Sequence, residues 1–121
     1  MALATCRIDN LQEIEHARDA DFARRVLQAG ADALRAHLRD FDVAGRTGDA
    51  EFTILLPEPG FSPSERVFAL ARSVADDISK DDSLNDPVRV ALAFGYAVHP
   101  EEGSDHDSLL DRAREPRIRM V

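Results

Sequence analysis

Between Asp19 and Asp42 the apolar residues recur three and four apart: Phe22, Val26, Leu27, Gly30, Ala33, Leu34, His37 and Leu38. That period is the stripe of an amphipathic helix of several turns. Asp19 or Asp21 is placed to cap its start. Gly30 inside it costs helix stability, so it marks a close packing contact rather than a break. Val67, Leu70, Ala71, Val74 and Ile78 repeat the period in another helix, opened by Ser62 or Ser64. Shorter helical segments run from about Asn10 to Ala17 and from Asp105 to Arg114, the latter stopped by Pro116. Elsewhere the pattern is that of strands. Leu3 to Ile8 is a short apolar run suited to a buried strand. Asp42–Arg46 and Glu51–Leu56 flank a turn at Thr47-Gly48-Asp49-Ala50, which predicts a hairpin. Val88 to Val98 is the strongest strand signal, and Gly95 within it implies a bulge or a close backbone approach. Segments 57–63, 80–87 and 100–103 read as loops and turns. The order β-α-α-β-β-α-β-α predicts an α+β fold, a sheet covered by helices.

Composition narrows the partners. The chain has 121 residues, 44% apolar and 31% charged, the size and make-up of a single domain over 1–121 with one buried core. Its net charge of −8 argues against DNA or RNA, because no basic stripe exists to release counterions from a long polyanion. A small dinucleotide needs only a few local arginines. Lys80 is the one lysine beside 14 arginines. A lone cysteine, Cys6, offers neither a disulfide framework nor a cysteine zinc site, and its apolar neighbours predict a buried, inert thiol. No run approaches the roughly 18 apolar residues of a membrane span, and no signal peptide opens the chain; no membrane partner is expected, and the cytoplasm is the expected location.

The stretch Arg39-Asp-Phe-Asp-Val-Ala-Gly-Arg-Thr-Gly-Asp-Ala-Glu-Phe52 carries the most specific signal. It resembles the signature hairpin of the GGDEF family, the diguanylate cyclases, in degenerate form: Gly48-Asp49-Ala50-Glu51-Phe52 stands where Gly-Gly-Asp-Glu-Phe is expected. The likeness runs nearly end to end, through the strand around Val88–Ala97, the turn His99–Gly103 and the helix start at Leu109–Ala113. It implies the nucleotidyl-cyclase palm, a mainly antiparallel central sheet with helices packed around it. The helix that carries the family's D-x-L-T element would precede Ala2, so the chain is expected to be a piece excised from a longer multidomain protein.

Active members of that family join two GTP molecules into cyclic di-GMP, a phosphoryl transfer that uses carboxylate-held metal ions. The resemblance places one metal carboxylate in a D-x-D pair at the end of the first strand; here the pair reads Arg7-Ile8-Asp9, with a cation in the first place. The two guanine contacts fall on Glu15 and Arg24. In the hairpin, Gly48 is retained, Asp49 replaces the glycine that leaves room for phosphate, Ala50 replaces an acid, and Glu51 survives. A lysine that reaches the triphosphate belongs to a segment missing between Ala113 and Arg117. On these positions the expectation is a domain that is not an enzyme, with no metal site and no cofactor, in which Arg7 pairs with Glu51 in place of the metal.

Arg39-x-x-Asp42 lies at the register where the family places its inhibitory product site. The resemblance implies a cyclic di-GMP receptor: Arg39 forks onto a phosphate or guanine edge, Asp42 accepts from guanine N–H groups, and Arg72 adds a second guanidinium. The residues alone also allow a plainer reading, Arg39 as a helix C-terminal cation and Asp42 as a solvated strand-edge acid. The alternative function is a ligand-free dimerisation or docking module, whose partners are a second copy, another protein or a fused signalling domain. His37 falls on the apolar stripe and reads as a boundary or core residue; His16, His99 and His106 stand among acids and read as solvated surface. No G-x-S-x-G, P-loop or H-E-x-x-H element is present.

Overall fold

The strand β1, Ala2–Ile8, is the middle of a five-stranded sheet, and its sequence suits that place. Alternate residues point to opposite faces, and nearly all of them are buried. Ala2, Ala4, Cys6 and Ile8 belong to the main core cluster, whereas Leu3 joins a smaller one with Ala97, Leu109 and Ala113. Small residues let helices approach the sheet closely on one side. Burial pushes the Cys6 thiol up to about 12, which leaves it unreactive at neutral pH.

The computed structural model describes residues 1–60 and 62–120; Phe61, within the expected 57–63 loop, and Val121 lie outside them. After β1 come α1 (Leu11–Ala17), α2 (Ala20–His37), β2 (Val43–Arg46), β3 (Glu51–Leu56) and α3 (Pro63–Ser79). A 3₁₀ turn (Asp82–Asn85), β4 (Leu92–Val98), α4 (His106–Ala113) and β5 (Ile118–Met120) complete the chain. The sheet order is β2-β3-β1-β4-β5, every pairing antiparallel. This is the expected α+β palm.

Helices α2 and α3 cover one face. Asp19 caps α2, accepting from the Phe22 N–H at 2.7 Å, and the stripe Phe22, Ala23, Val26, Leu27, Gly30, Ala33 and Leu34 is buried. Ser62 caps α3, with Pro63 in its first turn, and Val67, Leu70, Ala71, Val74 and Ile78 face the core. On the other face, α4 ends against the sheet. Thr5 Oγ1 donates to the Ala113 carbonyl at 2.7 Å in a buried contact. A Cβ at Gly95, beside Thr5 in the register, would stand 2.0 Å from that same carbonyl oxygen. Gly95 is therefore a close backbone approach, not a bulge.

Two elements differ from expectation. The run from Val88 becomes strand only at Leu92, because its partner β1 ends at Ile8, opposite Leu92. Before that point side chains take over most of the bonding: Asn10 Nδ2 donates to Arg89 O at 2.8 Å, the Ala91 N–H donates to Asn10 Oδ1 at 3.0 Å, and the Val90 N–H donates to Asn85 Oδ1 at 2.9 Å. The second difference is β5, a three-residue edge strand beyond Pro116 that pairs with β4; it is too short to show an alternation.

Candidate functional site

The end of β1, the starts of α1 and α2, and the β2–β3 turn enclose a cleft of about 740 Å³. Six of the motif positions line it: Arg7, Asp9, Glu15, Arg24, Asp49 and Ala50. Antiparallel pairing brings this about, because Arg7 lies opposite Glu51 on β3 and the turn therefore overhangs the end of β1. The turn is braced from below by Arg46, which sequence reasoning missed. Its Nε donates to Gly48 O at 3.0 Å and its Nη2 to Asp49 O at 2.6 Å. Gly48 is not left-handed; the described positive-φ glycines are Gly60 and Gly103.

Although Arg7 and Glu51 are cross-strand neighbours, they do not pair. Arg7 turns to Asp9, Nη2 to Oδ1 at 3.0 Å, since residues two apart on a strand share a face. Glu51 is taken by Arg114, whose Nε lies 3.1 Å from Oε2 and Nη2 3.1 Å from Oε1. Thr47 Oγ1 donates to Glu51 Oε1 at 2.6 Å. Arg114 gets there because the turn after α4 is seated on Gly95 and Thr5. The expected Arg7–Glu51 pair is thus corrected to Arg114–Glu51. Partial burial alone would raise the Glu51 pKa, but hydrogen bonds from Arg114 and Thr47, with the charges of Arg114 and Arg7, outweigh it and hold the carboxyl below its usual range.

Divalent ions of the kind used in phosphoryl transfer do not fit this arrangement as it stands. Asp9 and Glu51 are each engaged by a guanidinium, Ala50 offers no side-chain oxygen, and among the described residues no three His, Cys, Asp or Glu side chains converge. A cation bound here competes with Arg7 and Arg119 for Asp9 and with Arg114 for Glu51.

The α2–β2 junction is built differently. Asp42 is not a solvated acid: its side chain is 4% exposed. Its Oδ2 accepts from the Arg39 backbone N–H at 2.8 Å and from Arg66 Nη2 at 2.7 Å. Arg66 itself is 10% exposed. Arg39, by contrast, is exposed, and no hydrogen bond or ion pair to its guanidinium occurs among the described residues. The α3 guanidinium that meets Asp42 is therefore Arg66, not Arg72. Arg72 lines a separate groove of about 650 Å³ with Phe68, Tyr96 and Arg117, where Arg117 lies over the Tyr96 ring at 4.3 Å. One signal for Arg66 exists in the sequence: a cation in the first turn of a helix opposes the macrodipole, so it needs a specific partner.

Residues 1–117 match the family model described as "Diguanylate cyclase, GGDEF domain". The chain belongs to the GGDEF family. Among solved structures it resembles an EAL/GGDEF domain protein from M. capsulatus, at 26% identity and a TM-score of 0.77, over 93% of this chain and 72% of that one. It also resembles a microbial GGDEF domain described in a novel interaction mode with bis-(3,5)-cyclic di-GMP (27% identity, TM-score 0.68, 93% of this chain and 66% of that one). A third, the active GGEEF domain of a diguanylate cyclase from Vibrio cholerae, shares the fold at 22% identity and a TM-score of 0.71, over 93% and 70% of the two chains. No curated protein matches the chain.

Family membership corrects one expectation. The reading of the domain as not an enzyme rested on the replacements at Arg7, Glu15, Arg24, Asp49 and Ala50 taken together and on a missing lysine, yet the matching family is that of a cyclase. Replacements at motif positions do not by themselves establish loss of a reaction, and the acids Asp9, in the cleft, and Glu51, opposite Arg7 in the register, are retained. Among the described residues no helix is long and apolar enough to cross a membrane.

Proposed function

We propose that this GGDEF domain acts in cyclic di-GMP signalling by binding the dinucleotide at the α2–β2 junction, with Arg39 as its principal contact. The observation that carries this reading is the division of labour there. Asp42 is spent on bracing the backbone, which holds Arg39 at the surface with its guanidinium facing solvent. A planar, permanently charged fork carried on a braced backbone suits a phosphodiester or the acceptor edge of guanine. Further support comes from a relative of similar fold described with cyclic di-GMP. Asp42 acts as a positioning residue rather than a base reader, because its carboxylate is covered.

Chemical-shift mapping of the isotope-labelled protein during titration with cyclic di-GMP tests the location. Shifts should centre on Arg39–Asp42 and the first turn of α3. Shifts confined to Asp9, Asp49 and Ala50 would move the ligand to the cleft and sink this assignment. GTP turnover with magnesium, measured on the same sample, records whether the dinucleotide meets the domain as effector, as product, or as both.

A second reading, protein docking, is favoured by Phe41 and Val43, which stand 75% and 61% exposed at the start of the β2 edge strand. Unpaired edges with apolar side chains invite another chain. Light scattering with and without cyclic di-GMP separates self-association from a purely monomeric binder.

A further inference from the structure

Next to the motif cleft, α2 and the hairpin enclose a second depression of about 360 Å³. Its floor is apolar, made by Leu27, Ala31, Leu34, Ala44 and Phe52, and its rim carries Arg24, Gln28, Arg35 and Arg46. The α2 contributors recur three and four apart, so one face of the helix supplies both floor and rim. Three arginines and no carboxylate line this space, in a chain with 23 acidic residues against 15 basic ones. The neighbouring cleft is the contrast, since Asp9, Glu13, Glu15 and Asp49 line it along with its arginines.

Two of the rim cations are held only loosely. Arg24 pairs with Asp21 and Arg35 with Asp32 one helical turn away, the arginine side chains 72% and 70% exposed. Exposed pairs of this kind are weak in water, so an incoming acid group competes easily for either guanidinium. The volume lies at the small end of ligand pockets, which span roughly 300–1,000 Å³.

We propose that this depression binds a small amphiphilic anion: an apolar ring or short chain on the Leu27–Ala31–Leu34–Phe52 floor, with a carboxylate, phosphate or sulfonate held by Arg35 and Arg24. The site is separate from the Arg39 junction and does not depend on it. Arg24 and Arg46 also line the cleft, so the test uses Ala31 and Arg35, which belong to the depression alone.

The probe is 8-anilinonaphthalene-1-sulfonate, an aromatic sulfonate that fluoresces when its ring leaves water, titrated into the folded protein. Saturable binding below about 1 mM is expected. Ala31→Phe, which fills the floor, should weaken it by about tenfold or more, and Arg35→Gln by about fivefold. The uncharged analogue N-phenyl-1-naphthylamine should bind about tenfold more weakly, and Lys80→Gln should change nothing. Thermal unfolding of each variant, run in parallel, guards against dye binding to a loosened core. If Ala31→Phe misfolds, the exposed Arg35 variant still decides. Wild-type protein that fails to bind below that concentration, or an Arg35→Gln variant that binds as tightly as wild type, overturns the proposal.

Discussion

Two arginine–carboxylate pairs flank the β2–β3 hairpin, and they differ in depth. Asp42–Arg66, just before β2, is nearly dry, its side chains 4% and 10% exposed. Glu51–Arg114, at the start of β3, is half open, with Arg114 at 42% and Glu51 at 12%. Water sets the consequences. A covered pair loses little to screening but leaves a stranded charge when one partner is removed, whereas a partly wet pair can be exchanged for solvent or for another ion. The deep pair accordingly fixes a backbone turn and leaves the neighbouring Arg39 exposed. The shallow pair lies beside the cleft, where a ligand or cation can compete with it.

Removing Arg66 should be the most damaging change. Arg66→Ala strands the covered Asp42 carboxylate and should cost about 3–5 kcal/mol in urea unfolding. The double variant with Asp42→Ala should recover part of that loss. A cost near zero would mean that the pair is wet and the contrast with Glu51 is false.

Gly95→Ala comes next and separates the two pairs. The new Cβ would sit 2.0 Å from Ala113 O and 2.5 Å from Glu115 O. Both are backbone atoms, so the end of α4 has to move, at about 2–3 kcal/mol. That movement carries Arg114 away from Glu51 but leaves Asp42–Arg66 alone, so amide shifts should appear at Glu51 and not at Asp42.

A gentler probe is Glu51→Gln, read through pH. The lowered pKa of Glu51 means that its charged form contributes stability in full above the ordinary carboxylate value of about 4.3. That contribution is lost as pH falls through the lower folded value. The variant should be slightly less stable at neutral pH, with a shallower fall in melting temperature between about pH 5 and 3. An unchanged acid limb would remove Glu51–Arg114 from the account.

Gly30→Ala supplies the smallest change and a baseline. Its Cβ would rest 3.6 Å from Phe52 Cε2 and 3.9 Å from Ile8 Cδ1, ordinary contact distances. The helix gain of about 0.5–1 kcal/mol should therefore appear as stabilisation, with neither ion pair disturbed.

Much of this was legible in the sequence because it is periodic or local. The stripes of α2 and α3 and the hairpin follow from spacing, while residue type narrows the caps to Asp19 or Asp21 and Ser62 or Ser64, and Gly95 to a bulge or a close approach. The motif positions also came together, since strand register carries Arg7, Asp49 and Ala50 to one cleft. What escaped depends on where long side chains end. Arg66 and Arg114 reach their acids across 24 and 63 residues of chain, and no pattern along the sequence encodes that reach. For the same reason Asp42 read as an exposed acid and Arg7 as the partner of Glu51. β5 escaped because three residues show no period.

The central claim is that a covered Asp42 holds a free Arg39 for cyclic di-GMP, and calorimetric titration of wild type beside Arg39→Ala tests it most directly. Arg39 is exposed and unpaired among the described residues, so the variant should melt as wild type does. Wild-type protein should release or absorb heat saturably with cyclic di-GMP at micromolar concentration, weakening modestly with added salt. Arg39→Ala should lose that binding by about a hundredfold, some 2.7 kcal/mol. Equal binding by both proteins, or no heat from wild type at high micromolar ligand, would contradict it.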